Sequence, residues 1–138
     1  MGNEVISRNK QHELIMYSIY DALLYISVDE EFSLEQIMEG VFEMPYEEIP
    51  SFSKEVVIKG LLHLNEIIDT CQQYMPKRRF DHINNLSKAI LIMSVTQAKY
   101  LKEITAKGVV IDIAVRLAKS YLDANDYKFV NAVLDKAL

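Results

Sequence analysis

The sequence predicts an all-α fold of about six or seven helices joined by short connections. Three observations carry that expectation. Apolar residues recur every three or four positions through most of the chain. No segment alternates apolar and polar residues as a half-buried strand does, and no Asn-Gly or Asp-Gly hairpin turn occurs. Pro45, Pro50 and Pro76 separate the periodic stretches. With 138 residues, half of them apolar, the chain is expected to form one domain, 1–138, that buries roughly two-thirds of its unfolded surface.

A first helix is expected from a Ser7 cap, with Leu14, Ile15, Tyr17, Ile19 and Ala22 on a broad face, fading near Ser27. Asp29-Glu30-Glu31 reads as loop. Ser33 and Gln36 fit a capping box. The helix they open has Leu34, Ile37, Met38, Val41 and Phe42 on one face and Glu35, Glu39 and Glu43 on the other. A third helix is expected from about Ser53 to Tyr74 on the period of Val56, Val57, Leu61, Leu64, Ile67, Ile68 and Cys71. Gly60 inside it costs about 1 kcal/mol relative to alanine, which implies close approach of another helix. Lys77-Arg78-Arg79 follows as a basic cluster, and Phe80 to Asn85 as a short turn. Leu86 to about Ile104 is apolar nearly all round, the mark of a central helix buried on more than one side. Gly108 is expected to break it. Val110–Tyr121 forms the next helix, Leu122–Asp126 a polar loop, and Tyr127–Ala137 the last helix.

Net charge is -5, unevenly distributed. Residues 1–50 carry 2 basic and 11 acidic side chains, residues 51–138 carry 13 and 9. An anionic ligand is therefore expected on the C-terminal part, helped by the basic start of the first helix. Solvated faces are the other reading of the same charges. No apolar run approaches the length of a membrane span, and the start lacks the apolar core of a secretory signal. The single cysteine, Cys71, cannot form an internal disulfide, which fits a reducing, cytoplasmic setting. There is no Gly-rich phosphate loop. His12, His63 and His82 stand apart from one another, without metal-ligand spacing. Cys71 has the spacing of a core residue, and no base is named for it. Neither an enzyme nor a cofactor or metal is expected.

The most specific string is Gly108 to Leu138, GVVIDIAVRLAKSYLDANDYKFVNAVLDKAL. Lys128-Phe129-Val130-Asn131 puts an aromatic between a cation and a neighbouring amide, residue types that stack on a base and hold phosphate or a base edge. The string resembles the C-terminal signature of the NusB family, in which I-x-x-A-V-x-L-A-K precedes a loop and K-F-V-N-G-V-L-D-K. Arg8-Asn9-Lys10-Gln11-His12-Glu13-Leu14, leading to Tyr20, resembles the family's basic entry into its first helix, with Asn9 and His12 where arginine or lysine is usual. Asp81 and Leu86 to Leu91 resemble its V-D-R-A-I-L segment. Departures are Ser87 in place of an acid, Thr96-Gln97 where Tyr-Glu is common, Ile113 and Ala132 at usually small or acidic and glycine positions, and a missing proline before the helix expected over Val110–Tyr121.

The resemblance implies a pair of small helical bundles. It also implies an RNA-binding transcription antitermination factor that takes the boxA element of nascent ribosomal RNA together with NusE, a small-subunit ribosomal protein, in the RNA polymerase antitermination complex. It carries an RNA role onto Arg8, Lys10, Asn125, Lys128 and Phe129, and a NusE-facing role onto Tyr20, Ser87, Lys88 and Leu91. Arg8 and Lys10 would neutralise phosphates, Phe129 would stack, and Asn125 would read base edges. Competing local readings are a core anchor for Phe129, a backbone hydrogen bond for Asn131 and a solvated charge for Lys128. Some family members form homodimers, so self-association stays open. An alternative is a protein-interaction module that kept the fold and lost the RNA. Certain ribosomal RNA methyltransferases carry a similar domain, but no methyl-donor site precedes Leu138.

Overall fold

Four helix starts are fixed by short polar side chains that accept from backbone N–H groups left without a helical partner. Ser7 accepts from Lys10 N at 3.1 Å and opens α1 (Arg8–Ser27). Ser33 accepts from Gln36 N at 3.3 Å and opens α2 (Leu34–Phe42). Asn84 accepts from Ser87 N at 2.8 Å before α5 (Asn85–Tyr100), and Asp123 from Asp126 N at 2.9 Å before α7 (Ala124–Ala137). Between them run α3 (Ser51–Leu62), α4 (Leu64–Gln72) and α6 (Lys107–Tyr121), with 3-10 turns at Tyr46–Glu48 and Phe80–His82. This computed structural model describes residues 6–138, and among them there is no strand. No helix is long and apolar enough to cross a membrane.

The hub is α5, as its all-round apolar pattern requires. It packs against α1, α3, α4, α6 and α7. Every residue from Ala89 to Gln97 is buried, so no face is left for water. Ser94 and Thr96 survive there because their hydroxyls donate to Ile90 O (2.7 Å) and Ile92 O (2.6 Å), one turn back. Helices α1 and α5 run antiparallel, with His12 near the start of one bonded to Gln97 near the end of the other. Around this pair, α1 to α3 form one small bundle and α4 to α7 the other, joined in a continuous apolar core.

Three boundaries differ from the sequence expectation. The stretch 53–74 is two helices, α3 and α4, hinged at His63. Its apolar stripe continues across the hinge, so periodicity does not register it. Each half faces different neighbours, α3 against α1 and α5, α4 against α5 and α7. At the bend, the His63 ring stacks on Tyr100 of α5, centroids 4.1 Å apart. Helix α5 ends at Tyr100 rather than near Ile104, and Gly108 sits inside the first turn of α6 instead of breaking α5. Finally, the loop before α7 is only Leu122 and Asp123, because Asp123 caps the helix at once.

Gly60 does what its position implied. A Cβ there would meet Thr96 Oγ1 at 3.1 Å and Ile92 Cγ2 at 3.3 Å, both on α5. The glycine lets α3 close onto the hub.

Candidate nucleic-acid interface

The start of α1 is anchored from beneath by polar residues. Gln11 donates to Ile6 O at 3.0 Å and accepts from Ser53 Oγ at 2.9 Å. His12 is 1 % exposed, with Nδ1 2.9 Å from Arg8 O and Nε2 2.9 Å from the Gln97 side chain. Burial pushes the His12 pKa below its usual value, opposed by the bonds to Gln97 and Arg8. Both partners present oxygens, Arg8 O and Gln97 Oε1, so the neutral ring, with a single N–H, can donate to only one of them. Two departures from the family pattern, His12 and Gln97, thus touch each other. They make a neutral pair where the usual residue types would set a cation beside a carboxylate.

Above this anchor, Arg8 and Lys10 are both exposed but both engaged. The Arg8 guanidinium lies 3.8 Å from the centroid of the Phe52 ring on α3. Lys10 Nζ pairs with Glu13 at 2.7 Å. Glu13 in turn accepts from the Tyr121 hydroxyl at the end of α6, which holds that phenol's pKa well above its usual value. Tyr121 meets Tyr17 edge-on at 5.6 Å. Arg116 of α6 donates to Asn9 Oδ1 at 2.9 Å. The basic start of α1 and the α6–α7 turn are therefore tied together, although no sequence proximity relates them.

On α7, Asn125, Lys128 and Phe129 lie three and four residues apart and so share one side. Asn125 is exposed, but within the first helical turn rather than in a loop. Lys128 is exposed. Phe129 is half-buried: one part packs against the core, while the Arg78 guanidinium lies 4.2 Å from its centroid. The described contacts do not join Phe129 directly to Arg8 or Lys10. They join it to the basic cluster 77–79, whose role sequence reasoning left unassigned. Tyr127, with Lys119 Nζ 5.7 Å from its centroid, was likewise missed as a second aromatic–cation pair.

The residues expected to face a protein partner divide. Tyr20 is half-buried and lines a groove of about 350 Å³ with Asn84, Asn85, Leu86, Tyr121 and Asp123. Lys88 reaches over the same end of α5, donating to Asp81 O at 3.1 Å. Leu91 is wholly buried and Ser87 is 1 % exposed. Those two side chains build the core of this conformation and offer no contact surface. The apolar all-round pattern of α5 already contained that outcome. The Ser87 hydroxyl has no hydrogen-bond partner among the described residues.

The family model described as "NusB family" matches residues 10–138. This chain belongs to the NusB family. Arg8 and Asn9 precede the matched stretch. A NusB relative from Tolumonas auensis, named a transcription antitermination protein, is 30 % identical over 135 residues, covering 95 % of this chain and 91 % of its own. One from Treponema denticola, with the same name, is 39 % identical over 84 residues, 61 % of each. Among solved structures, T. maritima NusB superposes with a TM-score of 0.80 at 21 % identity, covering 96 % of this chain and 90 % of that one. A NusB chain solved with NusE and double-stranded RNA superposes at 0.77 and 21 % identity, with 94 % of each covered. These last two confirm the NusB fold.

Proposed function

We propose that this chain is an RNA-binding transcription antitermination factor. It takes boxA-like single-stranded RNA together with NusE within the RNA polymerase antitermination complex. It acts as one domain, 1–138, in the cytoplasm, without catalysis or a cofactor. The observation that carries this reading is the family match across 10–138. The names of the relatives and the NusB–NusE–RNA complex among the similar folds support it.

In this reading the RNA lies across the α6–α7 turn. Asn125, Lys128 and Phe129 come from one side of α7, Arg8 and Lys10 from α1. Phe129 offers a stacking face once Arg78 moves off or sandwiches the base. Tyr20 and Lys88 border the neighbouring groove that would receive NusE. The test is fluorescence anisotropy with a boxA-like RNA, a scrambled RNA and a duplex of the boxA-like sequence, each with and without NusE. The expected result is preference for the single-stranded boxA-like RNA, strengthened by NusE. Equal binding of all three RNAs would reject it.

One observation favours the interaction-module alternative: the cations at the start of α1 already have intramolecular partners. Under that alternative no RNA binds, and the partners recovered by pull-down include neither the ribosomal protein nor RNA polymerase.

A further inference from the structure

The far end of α1 has the opposite character. Leu24, Tyr25, Ile26, Val28 and Phe32 are all large, apolar and exposed, Val28 by 66 %. Apolar side chains gathered at one exposed corner mark a contact surface. Here they are also shaped. Leu24, Tyr25, Val28 and Phe32 join Ile37 and Val41 of α2 to line a groove of about 890 Å³. The Tyr25 and Phe32 rings stack across the connection, centroids 5.7 Å apart at 28°, so one wall is preformed.

The rim is acidic. Asp21, Glu30 and Glu31 border the groove. No described ion pair or side-chain hydrogen bond reaches any of them, whereas Glu13, Glu55, Glu66 and Asp81 each have a basic partner. The last turn of α1 contains no basic residue to offset the negative end of the helix dipole. Burial raises the Asp21 carboxyl above its usual range, the signature of an anion losing water without gaining a partner.

The charge selects the occupant. A two-fold dimer through this face would bring two acidic rims together, and nucleic acid or an anionic lipid surface would be repelled. We propose that the α1–α2 groove docks a basic amphipathic segment of a partner protein, its apolar side chains in the groove and its lysine or arginine side chains on the Asp21, Glu30 and Glu31 rim. The groove lies about 20–30 Å along α1 from Arg8, at 1.5 Å per residue, so RNA and this segment can be held at once.

The test uses the full chain and a labelled helical peptide with leucines on one face and lysines on the other. A shuffled peptide of the same composition is the control. The amphipathic peptide should bind, and the shuffled one should not. Glu30→Lys with Glu31→Lys should weaken binding about tenfold or more, equivalent to about 1.4 kcal/mol, and Tyr25→Ser should do likewise. Glu47→Lys with Glu48→Lys makes the same charge change on an exposed turn elsewhere and should leave binding unchanged. Equal loss from both charge reversals, equal binding of the shuffled peptide, or no binding overturns the proposal. So does a sedimenting dimer of the parent chain that Tyr25→Ser dissolves.

Discussion

Two cationic regions border the proposed RNA surface, and they differ in how their charges are held. At the start of α1, Arg8 covers Phe52 and Lys10 is paired with Glu13, which is itself tied to Tyr121. On α7, Lys128 is exposed with no described partner, and Phe129 shares its ring with a single exposed arginine side chain, Arg78. A phosphate that recruits Lys10 must compete with a carboxylate already in contact. One that recruits Lys128 displaces only water and counterions. In the proposed reading, the α1 region shapes the surface and the α7 region binds.

Phe129→Ala tests that contrast most severely. Loss of a stacking face should lower RNA affinity about 10- to 100-fold, matching ~1–3 kcal/mol per stacked base. Circular dichroism should show the helices retained, because Phe129 is only half-buried. A variant that melts early and still binds RNA would make Phe129 a core anchor. Next, Lys128→Ala should weaken binding of every RNA by about tenfold and reduce the salt slope by roughly one phosphate. Arg8→Ala and Lys10→Ala should each cost about threefold or less, because exposed pairs contribute little. If either matches Lys128→Ala, the contrast is reversed.

The smallest effect concerns the anchor beneath α1. The folded His12 pKa is depressed below 6.5, so the unfolded chain binds the proton more readily. The resulting stability is fully present above pH 6.5 and is lost as pH falls through the folded pKa. Thermal melts across that window should show a decline that His12→Gln flattens. RNA binding should weaken in parallel, because the start of α1 loosens. A pH slope unchanged in His12→Gln would place the titration elsewhere.

The elements most legible in sequence were those defined by local chemistry. Ser7 and Ser33 cap where their spacing said they would, and Gly60 marks the approach of α3 to α5. Local signals also existed where they were not used: Asp123 three residues before Asp126 is a capping pattern, and it places Asn125 inside α7. The hinge at His63 had no such signal. The contact made there, His63 on the Tyr100 ring, comes from a residue thirty-seven positions away. The same holds for the site. Lys77-Arg78-Arg79 was visible as charge, but only packing of α4 against α7 sets Arg78 on Phe129. The resemblance gives Ser87 and Leu91 a NusE-facing role, whereas both side chains are buried in the packed molecule.

By itself the sequence determined helices, their caps, an apolar central segment and the aromatic–cation string of the last helix, because propensity, capping and periodicity act over a few residues. Tertiary structure alone decided which polar groups meet across helices. Such partners are chosen by distance in space: Glu13 meets the Tyr121 hydroxyl, Arg116 meets Asn9 and Arg8 covers Phe52 only after α1, α3 and α6 have packed.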